Sequence, residues 1–89
     1  MQVQARHILV ADLNTAVTVK AKLSEGSTFG DLARTYSSCP SRARDGDLGA
    51  FGPGMMVKPF EDAVFALEVG QISEPVQTQF GWHLIERTS

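Results

Sequence analysis

Residues 4–10 begin polar and end in the aliphatic run Ile8, Leu9 and Val10, a pattern that predicts a strand. Asp12 is a residue type that caps helices, and a helix to about residue 24 should follow. Leu13, Ala16, Val17, Val19 and Leu23 fall on one broad face of it. Lys20 projects into the same face, so its stem must snorkel. Gly26 ends the pattern. Thr28 caps a second helix, with Asp31 in a capping-box position and a stripe of Phe29, Leu32, Ala33 and Tyr36.

Residues 37–41, Ser-Ser-Cys-Pro-Ser, break the periodicity and read as a loop. A short strand over 48–51 precedes the turn Gly52-Pro53-Gly54. Pro59 suits the first turn of a third helix, where its missing N–H is not needed, and Glu61 and Asp62 suit the positive end of that helix. Phe60, Val64 and Leu67 make its buried stripe, and Gly70 stops it. Residues 72–77 are extended but interrupted by Pro75, which marks an edge strand; 82–87 form the last strand. The order implies an α+β fold with an antiparallel sheet packed by helices. The first and last strands, each with an aliphatic run, should pair in its middle.

With 89 residues the chain is expected to be one domain, 1–89, of modest core. A composition of 43% hydrophobic and 20% charged residues is that of an ordinary folded globule. No apolar run approaches the ~20 residues of a membrane span. The start Met1-Gln2-Val3-Gln4 has neither the basic nor the apolar part of a signal peptide, so a cytoplasmic location is expected. The net charge is −2 and the basic residues are scattered, which argues against a nucleic-acid partner. Cys39 is the single cysteine, so no internal disulfide forms, in keeping with a reducing compartment.

Three large apolar residues stand near glycine or proline, at the mouths of elements rather than inside them: Met56, Phe60 and Phe80. Core packing explains each alone; together they suggest a shallow apolar pocket. His7 and His83 share strand faces with Leu9 and Ile85, so both point where apolar side chains point. They are either satisfied core histidines or a polar cluster beneath a site. With Cys39 they lack the spacing of a local metal-ligand pair, and no metal is expected. Nor does the chain show the base and oxyanion hole of a thiol hydrolase, or a phosphate-binding loop.

The motifs His7-Ile8-Leu9-Val10, Phe29-Gly30-Asp31-Leu32-Ala33, Gly46-Asp47-Leu48-Gly49-Ala50-Phe51, Lys58-Pro59-Phe60-Glu61-Asp62-Ala63 and Phe80-Gly81-Trp82-His83 occur in an order that resembles the parvulin family of peptidyl-prolyl isomerases. Tyr36-Ser37, Met56, Phe65, Leu67, Gly70 and Ser73-Glu74-Pro75-Val76 extend the resemblance over essentially the whole chain. It implies an FKBP-like, four-stranded antiparallel sheet surrounded by three to four helices. It also implies catalysis of cis/trans exchange at X–Pro bonds, without cofactor. By this resemblance Met56, Phe60 and Phe80 form the proline pocket with Leu48 at its rim. His7, Cys39, Thr78 and His83 form a hydrogen-bonded catalytic cluster, with Ser37 a further member. The implied partners are proline-containing peptides and unfolded or folding proteins, met by a monomer. Phospho-specific parvulins carry a long basic loop after the first strand. Here only Ala11 separates Val10 from Asp12, so unphosphorylated substrates are expected. The alternative is a non-catalytic peptide-binding or chaperone module of the same fold.

Overall fold

The computed structural model describes residues 2–89. Seven main elements follow one another: β1 (Val3–Val10), α1 (Leu13–Ser24), α2 (Phe29–Tyr36), β2 (Asp47–Phe51), α3 (Lys58–Ala66), β3 (Val76–Thr78) and β4 (Gly81–Arg87). They make an antiparallel sheet of order β2-β1-β4-β3 with three α-helices, as the α+β reading requires. β1 and β4 lie in the middle, paired in register from Ala5↔Arg87 to Val10↔Trp82.

Both central strands are apolar on both sides because both faces of the sheet are covered. Ile8, Val10 and Leu84 pack against Ala16 and Val19 of α1 and Phe29, Leu32 and Ala33 of α2. Val3, Ala5 and Ile85 pack on the other face against Phe51 and the α3 residues Phe60 and Val64. Arg6 and Glu86, directly opposite in register, form an ion pair beside the first core, with the Arg6 guanidinium 4.9 Å above the Phe29 ring.

Four sequence expectations change in detail. Leu13 and Val17 are 43% and 54% exposed, because α1 buries only the narrow strip through Ala16 and Val19. Lys20 reaches along that strip and donates to the Ser73 carbonyl at 2.9 Å, with Glu74 also within ion-pair range. The strand expected over 72–77 shrinks to Val76–Thr78 plus a single bridge from Ile72 to Glu86, since Pro75 has no N–H for the ladder. The loop at 37–41 gives way to a 3-10 turn, Pro40–Arg44, begun by that proline. The third helix also stops earlier than expected, at Ala66, with Leu67 as its extended cap and Gly70 beyond it.

Two close backbone approaches hold β1, one at His7 in its middle and one at its C-terminal end. Gly46 has φ +86°, and a Cβ there would lie 2.4 Å from the His7 carbonyl oxygen. Gly81 has φ +139°, and its Cβ would lie 2.5 Å from the Val10 carbonyl oxygen. Only glycine accommodates both the left-handed dihedral and the contact.

Candidate active site

The register of the central strands creates the site. His7 stands opposite Ile85 and Leu9 opposite His83, so the two histidines are diagonal neighbours on the α3 face. Their rings stack with centroids 5.1 Å apart, and Nδ1 of one lies 2.9 Å from Nδ1 of the other. The edge strand supplies the next link. The Thr78 hydroxyl lies 2.7 Å from His83 Nε2, and the same oxygen accepts the Phe80 N–H at 3.1 Å. A chain of contacts thus runs from His7 through His83 and Thr78 to the backbone of Phe80.

Burial sets the protonation of this chain. Desolvation, with a smaller contribution from the neighbouring His83, lowers the His7 pKa to about 4; desolvation lowers that of His83 to about 4 as well. At neutral pH both rings are uncharged and each carries one proton. A 2.9 Å contact between the two Nδ1 atoms needs one of them protonated and the other bare. One of the two Nε2 atoms therefore carries a proton and the other does not. His7 Nε2 is buried without a hydrogen-bond partner among the described residues.

α3 delivers Phe60 edge-on to both imidazoles, with centroids 5.5 Å from His7 and 5.2 Å from His83 at near-perpendicular angles. Phe60 is 3% exposed and also packs on Phe51, so it is at once core and floor of the site. Above it opens a cavity of about 470 Å³. Met56 and Leu48 wall it alongside Phe60, and Phe80 stands at its mouth, 60% exposed. His7, His83 and Cys39 complete the wall. None of the lining residues is an aspartate, glutamate, lysine or arginine.

Seven of the eight residues singled out from sequence therefore meet at one cavity, and Thr78 stands behind it on His83. The expected four-membered hydrogen-bonded cluster is differently built. Cys39 lines the cavity, and its backbone N–H donates to Ser37 Oγ at 3.3 Å, but the bonded chain runs through His7, His83 and Thr78. Ser37 likewise bonds to backbone N–H groups rather than to the histidines. The cavity also has contributors that sequence reasoning missed. Met55 lines it, its sulfur accepting the Gly52 N–H at 3.2 Å, and Val57 and Leu9 face the same space. Leu9 had a signal, its place two residues from His7. Met55 stood unread beside Met56.

Comparison with known proteins agrees with this geometry. Residues 7–89 match the family model described as "Rotamase: PPIC-type PPIASE domain". The chain belongs to the PPIC-type peptidyl-prolyl isomerase family. The isomerase domain is 53% identical over 88 residues to foldase protein PrsA 4 of Bacillus cereus, covering 98% of this chain and 31% of that protein. The crystal structure of PrsA from Bacillus subtilis superposes with a TM-score of 0.96 at 46% identity, covering 99% of this chain and 35% of the other. NmPin, the parvulin of Nitrosopumilus maritimus, gives a TM-score of 0.88 at 45% identity and is covered over 96% of its length, with 99% of this chain matched. The isomerase domain spans about a third of the length of the curated foldases it matches, and nearly all of NmPin.

Proposed function

We propose that this parvulin domain accelerates cis/trans exchange about X–Pro bonds of unphosphorylated peptides and of folding protein chains. The observation that carries the reading is the apolar cavity of Met56, Phe60 and Phe80 ending on a buried, uncharged histidine pair. Rotation about the prolyl bond must overcome ~20 kcal/mol of amide resonance. No covalent bond breaks. A planar amide is strongly dipolar, whereas the twisted amide has lost its resonance and much of that dipole. An apolar wall therefore opposes the twisted form less than the planar one. The proline ring is held by Phe60 and Met56 while the carbonyl side turns beside His7, His83 and Cys39. Differential stabilisation of this kind raises turnover rather than mere affinity. Uncharged imidazoles suit the task, since an imidazolium would favour the dipolar ground state.

Unphosphorylated substrates are supported by the tight connection from β1 to α1. Asp12 caps α1 two residues after β1 ends, accepting the Thr15 N–H at 2.8 Å, which leaves no room for a basic phosphate-gripping loop. The cavity wall is likewise free of cationic side chains.

Exchange spectroscopy by NMR on Ala-Pro and Leu-Pro peptides, with catalytic amounts of protein, tests the reading. Exchange should quicken severalfold or more, and a phosphoserine-Pro twin should gain no advantage. Peptide binding with unchanged exchange would leave the peptide-binding module instead. That second reading draws support from the foldases in which such a domain is one part of a longer chain.

A further inference from the structure

Ser37 caps the C-terminus of α2 and is 1% exposed. Its own N–H is satisfied by the Ala33 carbonyl at 3.0 Å, so the helix end does not need its hydroxyl. That hydroxyl goes elsewhere. Ser37 Oγ accepts the Leu9 N–H at 3.0 Å and the Cys39 N–H at 3.3 Å. Both donors belong to residues that line the cavity, one from β1 and one from the segment after α2.

The strand has a reason to need such an acceptor. β2 pairs with β1 from Val3 to Arg6, and the last contact beyond that is the His7 N–H to the Gly46 carbonyl at 3.0 Å. Leu9 lies past the end of this ladder with its N–H and C=O still facing the β2 side. Ser37 and Ser38 take the place of the missing strand. The Ser38 N–H donates to the Leu9 carbonyl at 2.8 Å, while Ser37 Oγ stands where a strand carbonyl would accept. The Cys39 carbonyl then accepts the Arg42 N–H at 3.0 Å, so the backbone on both sides of the thiol is held. The thiol is outside the histidine–threonine chain, so backbone bonds set where it sits.

We propose that Ser37 is a positioning residue of the isomerisation site, its single oxygen fixing the distance between Cys39 and the strand that carries His7. The inference rests on the cavity being the isomerase site. Ser37→Ala removes the oxygen and leaves two N–H groups without an acceptor. Amide hydrogen exchange should then quicken about tenfold at Leu9 and Cys39, while Ala5 and Ile85 keep their protection. kcat should fall about tenfold with KM within about twofold, because pocket walls are kept and geometry is lost. Ser37→Cys, similar in size and a far weaker acceptor, carries the same readouts if the Ala variant does not fold. Unchanged protection at Leu9 and Cys39, a uniform loss of protection along β1 and β4, or wild-type kcat would overturn the proposal. Wild-type protein that fails to speed prolyl exchange would instead overturn the reading of the cavity, and the local protection pattern would still report whether Ser37 positions the segment.

Discussion

Lowering the pH from 7 to 5 should destabilise this domain through two side chains. The histidine pKa values fall from the ordinary 6.5 to about 4 in the folded state. Between those values the unfolded chain binds protons that the native one refuses, so stability rises with pH across the window and is lost as pH falls through it. At pH 5 an unfolded histidine is 1.5 units below its pKa and almost fully charged, while the folded one is about a tenth charged. At 1.36 kcal/mol per unit this is about 2 kcal/mol for His7 and less for His83, whose side nearer the cavity mouth is screened, so about 2–4 kcal/mol for the coupled pair. A domain of this length has only about 4–13 kcal/mol in all. Geometry adds a limit: one extra proton keeps an N–H donor and a bare acceptor between the two Nδ1 atoms, but a second would set N–H against N–H across 2.9 Å. The Asp12 and Asp31 carboxyls, held below their ordinary 3.8 by hydrogen bonds chiefly from Thr15 and Thr28, give up stability only at lower pH. Urea unfolding followed by Trp82 fluorescence at pH 7, 6 and 5 measures the effect, with a falling midpoint at constant slope. A midpoint that stays level from pH 7 to 5, or imidazole resonances titrating near pH 6.5, would refute the reasoning.

Phe60→Ala should cost about 3–5 kcal/mol, lowering Tm by about 12 °C or more in calorimetry, because the ring fills core and cavity floor together. Phe60→Leu keeps most of the volume but not the flat edge against both imidazoles, so prolyl exchange should slow by more than its stability loss explains; equal losses would argue for packing alone. Gly46→Ala meets both a left-handed φ, worth about 1–2 kcal/mol, and a carbonyl 2.4 Å away. Since the obstacle is backbone of β1, His7 must move, and both Tm and exchange rate should drop. A Tm equal to wild type would show that the contact relaxes freely.

Local pattern was enough for much of the fold. Asp12 and Thr28 each accept, on a side-chain oxygen, the N–H three residues on, a reach of one helical turn that sequence spacing states outright. Aliphatic runs in residues 4–10 and 82–87 marked the central strands, because strands covered on both faces must be apolar at successive positions. The misses came where a long-range partner decided. Val17 has the right angle on α1 for burial, yet it stays 54% exposed, because burial on α1 is confined to the strip through Ala16 and Val19. Residues 72–77 have strand composition, but only Val76–Thr78 forms a ladder with β4, while Ile72 and Ser73 meet it through isolated contacts. Cys39, His7, His83 and Thr78 looked like one cluster; the thiol proved to belong to the wall and the rest to the bonded chain.

The sequence by itself determined which residues prefer helix, strand and turn, and that large apolar groups beside glycine would stand at the mouths of elements. Those are short-range matters of sterics and hydrogen-bonding reach. Only the tertiary structure decided that His7 meets His83. Seventy-six positions separate them in the chain. Their 2.9 Å contact depends on a register between β1 and β4 in which a one-residue slip would send the two rings to opposite faces of the sheet.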